Sequence, residues 1–119
     1  MSKSVLIVDD HPNVRTLVHH ILSDSGYLAE TAVDGGDALV KLGRRGFDLV
    51  ISDIDMPGIT GLELLDRVRT MSRRVSVVLM SAREAADGAV EAERRGADAY
   101  LAKPFRVDRI RQVVADLLN

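Results

Sequence analysis

Four sets of polar residues each follow a short apolar run in this chain. Asp9-Asp10 come after Ser4–Val8, and Asp53 with Asp55 after Leu49–Ser52. Ser81 comes after Val75–Met80, and Lys103 after Ala99–Ala102. Their types suggest one chemistry. Close carboxylates raise one another's pKa values unless a cation lies among them. Carboxylate oxygens suit a hard ion such as Mg2+, which fills its other positions with waters and phosphate oxygens. One divalent ion and the Lys103 ammonium together neutralise three carboxylates, and a neutral site of this kind accepts a phosphoryl group. An aspartate is a competent nucleophile and forms an aspartyl phosphate. The metal and the lysine would then stabilise charge on the transferring oxygens.

Such a site needs a fold that joins residues over 90 positions apart, Asp9 and Lys103. Five apolar runs are short and rich in β-branched residues, which predicts strands. They are Ser4–Val8, Leu28–Ala32, Leu49–Ser52, Val75–Met80 and Ala99–Ala102. They do not alternate cleanly, as expected of parallel strands covered on both faces. Helix-period stripes lie between them. The first is Val14, Leu17, Val18, Ile21 and Leu22, with Pro12 at the expected first helical position. Ala38, Leu39 and Leu42 form the second, and Leu62, Leu65 and Val68 the third. The fourth is a weak one of Ala85, Ala86, Ala89 and Val90. Val107, Ile110, Val113, Val114, Leu117 and Leu118 form the last. This alternation predicts right-handed crossovers and a parallel sheet with helices on both faces. Ligands of such sheets bind beyond the carboxyl ends of the strands, where all four polar sets fall. Two helix-to-strand joints look alike, Arg44-Arg45-Gly46-Phe47-Asp48 and Arg94-Arg95-Gly96-Ala97-Asp98. Their arginines are read as helix terminators, each followed by a glycine in a left-handed cap.

At 119 residues and 46% hydrophobic, the chain is read as one domain, 1–119. It has no cysteine, which excludes disulfides, thiolate zinc sites and cysteine nucleophiles. A net charge of −2 gives no general argument for binding nucleic acid or anionic membranes. Aromatics are 3%, too few for a base-stacking platform. No apolar run approaches the roughly 20 residues that span a bilayer. The N-terminus does not read as a signal peptide, so a soluble, cytoplasmic domain is expected. Neither a G-x-G-x-x-G after Val8 nor a P-loop is present, which disfavours nucleotide cofactors.

Together, Asp9-Asp10, Asp53 followed by Met56-Pro57-Gly58, Ser81-Ala82 and Lys103-Pro104-Phe105 resemble the receiver domain of two-component response regulators, of the chemotaxis-receiver type. The resemblance runs over the whole chain. It implies a (βα)5 flavodoxin-like α/β fold, doubly wound, with a five-stranded parallel sheet in the order 2-1-3-4-5. It implies that Asp53 accepts a phosphoryl group from a sensor histidine kinase or a histidine phosphotransfer protein. Asp9, Asp10 and Asp53 would hold Mg2+, with Asp55 giving its backbone carbonyl. Lys103 would pair with the phosphoryl group, and Ser81 would move its hydroxyl onto it. Tyr100 matches the switch aromatic that turns inward with that hydroxyl. Pro104 would follow a cis peptide bond. Asp55, Ala82, Arg83 and Pro104 would modulate the site. The implied function is a signalling switch, not a turnover enzyme, acting on an unknown downstream protein without binding nucleic acid or inserting in a membrane.

Plainer readings stand beside these. Asp9-Asp10 also suits a helix N-terminus. Ser81-Ala82-Arg83-Glu84 also reads as a capping box, which would engage the Ser81 hydroxyl. Lys103 also reads as a strand-end lysine reaching solvent, and Tyr100 as a half-buried strand tyrosine. His19 and His20, adjacent on a helix, diverge and make poor joint ligands. They and His11 are read as surface residues, and His11, beside the site, carries no assigned role. A second function is also open. Leu49–Asp55 resembles the hydrophobic-Asp-x-Asp motif of haloacid-dehalogenase-like Mg-dependent phosphatases, with Asp53 as nucleophile. There the acidic pair usually comes late, whereas here it comes early. The chain runs out after the last stripe, which suits either a stand-alone receiver or part of a longer regulator.

Overall fold

The computed structural model describes residues 2–72, 74–82 and 85–119. Strands and helices alternate through the chain. They are β1 (Ser4–Val8), α1 (Pro12–Asp24), β2 (Leu28–Ala32), α2 (Gly35–Arg44) and β3 (Leu49–Asp53), followed by α3 (Gly61–Met71), β4 (Ser76–Ser81), α4 (Ala85–Arg95), β5 (Ala99–Ala102) and α5 (Val107–Leu118). The strands form one parallel sheet in the order β2-β1-β3-β4-β5. This is the order the resemblance implied. β3 and β4 each run one residue further than the apolar runs suggested, to Asp53 and Ser81. Two candidate site residues therefore belong to the strands themselves.

Successive side chains of a strand point to opposite faces, and here both faces are covered. Val5 and Ile7 of β1 enter a core with Val18, Ile21 and Leu22 of α1 and Ile110, Val113 and Val114 of α5. Leu6 and Val8 enter another, with Ala38 of α2, Leu64, Leu65 and Val68 of α3 and Ala92 of α4. Each fully buried valine, leucine or isoleucine contributes roughly 1.5–3 kcal/mol. Double coverage explains why β1, β3 and β4 read as near-continuous apolar runs, while the edge strand β2, with Leu28 exposed, does not.

The helix ends follow local chemistry. Pro12 opens α1, where its missing N–H costs nothing. Asp34 caps α2 by accepting from the Asp37 backbone N–H at 2.8 Å. Thr60 and Glu63 cap α3 reciprocally. Some stripe positions depart from expectation. Leu17 and Val107 are half exposed. Among the described positions of α4, Gly88 and Ala92 are buried, while Ala89 and Val90 face solvent.

The two look-alike joints share a role that helix termination does not explain. Gly96 has the left-handed backbone expected of a cap (φ 87°), but Gly46 is not among the glycines with positive φ. The common residue that matters is the aspartate. Asp48 accepts the Ser4 N–H at 2.8 Å, and its own N–H donates to the Ser4 carbonyl at 2.9 Å. Asp98 accepts the Val77 N–H at 2.7 Å and donates to the Val77 carbonyl at 2.8 Å. Each aspartate thus pins the amino-terminal end of the neighbouring strand, β1 or β4. Arg69 holds the Asp98 carboxylate from α3 at 2.8 Å.

Candidate functional site

The site lies at the carboxyl end of the sheet, where central β1 and β3 stop side by side. Asp9 follows β1 directly and is fully buried. It is held there from three directions. Its N–H donates to the Ala32 carbonyl at 3.3 Å, and its carbonyl accepts from Arg15 Nη1 at 2.8 Å. Its Oδ1 accepts the His11 backbone N–H at 2.9 Å. Asp53 ends β3 and is 3% exposed. The chain then stays against β4, because the Ile54 N–H donates to the Met80 carbonyl at 2.8 Å. Gly61, the first residue of α3, approaches that strand end closely. A Cβ there would lie 2.8 Å from Ile54 Cα and 2.9 Å from the Asp53 carbonyl carbon.

Lys103 reaches the two acids from beyond β5, two strands away from Asp53. Its backbone N–H donates to the Ser81 carbonyl at 2.8 Å, and the Lys103–Pro104 peptide bond is cis. Its Nζ lies 2.9 Å from Asp9 Oδ2 and 3.3 Å from Asp53 Oδ1. The side chain is 16% exposed, so it does not project into solvent. The electrostatics follow from this packing. Burial pushes the Asp53 carboxyl above its usual range, opposed by the Lys103 charge and assisted by Asp9 and Asp55. Burial disfavours the Lys103 ammonium, but its hydrogen bond to Asp9 and the charges of Asp53 and Asp9 more than offset this, leaving its pKa raised.

The remaining acids surround the same point. Asp10 is partly buried, and its Oδ1 is buried without a hydrogen-bond partner. One ligand atom each from Asp9, Asp10, His11 and Asp53 falls within 4.8 Å of the others. A buried, orphaned carboxylate oxygen among three acids is an arrangement that a divalent cation completes. The donor set therefore fits Mg2+. Asp55 is exposed, and its Oδ2 accepts from Ser81 Oγ at 3.1 Å. Ser81 is fully buried at the end of β4. Tyr100 on β5 is partly buried, and its hydroxyl donates to the Ser81 carbonyl at 3.5 Å. Its ring covers Gly88 of α4 so closely that a Cβ there would lie 2.8 Å from Cε1 and nearer still to Cζ and Oη. Ala82 is exposed and, with Val14, Leu17, Lys103, Pro104 and Phe105, lines an apolar groove beside the site.

The structure thus joins Asp9, Asp10, Asp53, Asp55, Ser81 and Lys103, with Tyr100 behind Ser81. Arg83 and Glu84 lie outside the described residues, and with them the modulating role of Arg83 and the Glu84 half of the capping box. Two contributors carry no assigned role in the sequence reading. The His11 ring is 65% exposed, yet its Nδ1 lies 3.2 Å from both Asp9 Oδ1 and Asp10 Oδ1. Its signal was adjacency to the acidic pair. Gly88 is the other, and a lone glycine inside a helix was its signal. His19 and His20 are engaged elsewhere, by the Ala29 carbonyl at 3.1 Å and by Asp24 at 3.6 Å.

Residues 5–115 match the family model described as the response regulator receiver domain. The chain belongs to that family. Among curated relatives of this receiver, Sporulation initiation phosphotransferase F of Bacillus subtilis is 34% identical over 99% of the chain and 95% of its own length. Nitrogen assimilation regulatory protein NtrX of Azorhizobium caulinodans is 41% identical over 92% of the chain. The Sensor histidine kinase RcsC of Salmonella typhi is 37% identical over 93%. The receiver spans only 25% and 12% of those two proteins. Among solved structures, the chemotaxis protein CheY4 of Vibrio cholerae superposes with a TM-score of 0.91 at 34% identity, over 99% of this chain and 100% of that one. The response regulator TrrA of Thermotoga maritima, solved in complex with Mg2+ and BeF, gives 0.87 at 37%, over 98% and 99%. The family match lends no support to the haloacid-dehalogenase-like phosphatase reading. No helix among the described residues is long and apolar enough to cross a membrane.

Proposed function

We propose that this receiver is a phosphorylation-dependent signalling switch whose acceptor is Asp53. The observation that carries the reading is the Lys103 ammonium held between the buried carboxylates of Asp9 and Asp53, at 2.9 and 3.3 Å. A carboxylate oxygen of Asp53 attacks the phosphorus of a phosphohistidine on a sensor kinase or phosphotransfer protein. The P–O bond forms, the P–N bond breaks, and its electron pair stays on the imidazole nitrogen. Lys103 faces the charge that builds on the phosphoryl oxygens. Asp9, Asp10, Asp53 and the Asp55 carbonyl would hold Mg2+. When bound, the ion supplies positive charge beside the transferring oxygens.

The product carries roughly −1.5 to −2 charge at neutral pH. Ser81 leaves Asp55 to donate to a phosphoryl oxygen. Tyr100, whose hydroxyl rests on the Ser81 carbonyl, responds to that movement and alters the surface of α4 and β5. Ala82, Arg83 and Pro104 modulate the site. The switch works in the cytoplasm, takes its phosphoryl group from a kinase or phosphotransfer partner, and passes the signal by docking to a downstream protein. It contacts no nucleic acid itself and turns over no substrate beyond its own phosphoryl group. The test is incubation with a small phosphodonor and Mg2+. One phosphoryl group per chain on Asp53 is expected, with none on Asp53→Asn. An unlabelled wild type, or a fully labelled Asp53→Asn, refutes the proposal.

A further inference from the structure

The imidazole of His11 has no part in phosphoryl transfer, yet it stands at the rim of the acidic cluster. Its Nδ1 lies 3.2 Å from Asp9 Oδ1 and 3.2 Å from Asp10 Oδ1. The Asp10 oxygen remains without a hydrogen-bond partner, because the approach of the ring lacks hydrogen-bond geometry. The His11 backbone N–H is fixed to Asp9 Oδ1 at 2.9 Å, and Pro12 follows at once as the first residue of α1. The nitrogen belongs to the same set of donors as Asp9, Asp10 and Asp53, all within 4.8 Å of one another. Three carboxylates alone favour a hard ion. Three carboxylates and an imidazole shift the preference toward borderline ions, in the order that rises from Mn2+ to Ni2+.

We infer that His11 is a direct ligand of the cation held by the acidic cluster, so that the site takes a borderline divalent transition ion more tightly than Mg2+. The inference rests on the metal site of the proposed function and adds a ligand and a selectivity to it. A neutral imidazole adds no charge, so Mg2+ binding keeps its carboxylate basis. What it adds is a nitrogen donor, and nitrogen donors discriminate among divalent ions where carboxylates discriminate little.

Co2+ and Mg2+ are the probes, applied to the full chain by titration calorimetry and, for Co2+, by proton NMR. Wild type is expected to bind Co2+ and to show hyperfine-shifted imidazole ring protons. His11→Asn is expected to lose that signal and to weaken Co2+ binding at least about tenfold, with Mg2+ binding changed less than about threefold. His20→Asn, which removes an exposed histidine next to Asp24, keeps the signal and both affinities. Co2+ binding without shifted imidazole protons, or an equal loss of both ions in His11→Asn, overturns the assignment of His11 and leaves the acidic site standing. A signal lost in His20→Asn and kept in His11→Asn also overturns it. A wild type that binds neither ion overturns both.

Discussion

Asp53 shows how one buried carboxylate sets a sign that can be measured. Its pKa is raised, chiefly by burial, so the folded protein holds this proton more tightly than the unfolded chain does. Its contribution to stability therefore falls as pH rises from the ordinary carboxylate range through its own higher value, and stays unfavourable above it. Asp53→Asn is expected to stabilise the metal-free protein at pH 7 by about 1–2 kcal/mol and to flatten that limb of the pH profile. Urea unfolding in a chelator decides the matter, and a lower midpoint for the variant would contradict the burial argument. Lys103 has the opposite sign. Its raised pKa means that its contribution is present in full below the ordinary lysine range and is lost only as pH climbs through its folded value. Lys103→Met strands the fully buried Asp9 carboxylate without its ammonium and is expected to cost about 3 kcal/mol at pH 7. Equal stability to wild type in the same urea titration would show that the lysine is not the partner that Asp9 depends on.

At the scale of elements, the fit of α4 to β5 depends on a missing methyl group. Replacing a mid-helix glycine by alanine ordinarily stabilises a helix by about 1 kcal/mol. Here a Cβ on Gly88 would lie 2.8 Å from the Tyr100 ring carbon Cε1. Gly88→Ala is therefore expected to destabilise the protein and drive Tyr100 outward, seen as a new 19F environment in fluorotyrosine-labelled chain. In a Tyr100→Ala background the same change is expected to stabilise. A stabilising Gly88→Ala in wild type would show that the ring yields freely. This contact marks where the sequence stops being legible. The strands, their order and the polar residues at their ends follow from doubly buried apolar runs and a recognisable set of motifs. The inner face of α4 does not, because Ala89 and Val90 are more apolar than Gly88 and give the stronger stripe. Only the size of Tyr100 on the neighbouring strand makes the glycine the better inner residue. The aspartates of the two similar joints were hidden in the same way. Their partners, Ser4 and Val77, are set by which strands lie side by side.

At the scale of the whole molecule, a cation held at the proposed acidic site would make the folded state a ligand-linked equilibrium. A cation that binds only the folded chain stabilises it by about 2.7 kcal/mol at a hundred times its dissociation constant. For a domain of this size each kcal/mol is worth roughly 4 °C. Mg2+ is expected to raise the melting temperature of wild type by several degrees and that of Asp10→Asn by much less. Equal shifts in the two would move the ion away from the orphaned Asp10 oxygen. The opposite end of the sheet bears on this balance too. Asp98 ties the start of β5 to Val77 and to Arg69 of α3. The strand is a rod with Lys103 at its tip, about 16 Å along the backbone from that anchor. Removing the anchor would loosen the start of β5, and any shift carried along the strand would move the amine relative to its acids. Damage to a carboxylate at the foot of the molecule would thus be read out at its summit, in the proposed phosphoryl site that the injured residue never touches.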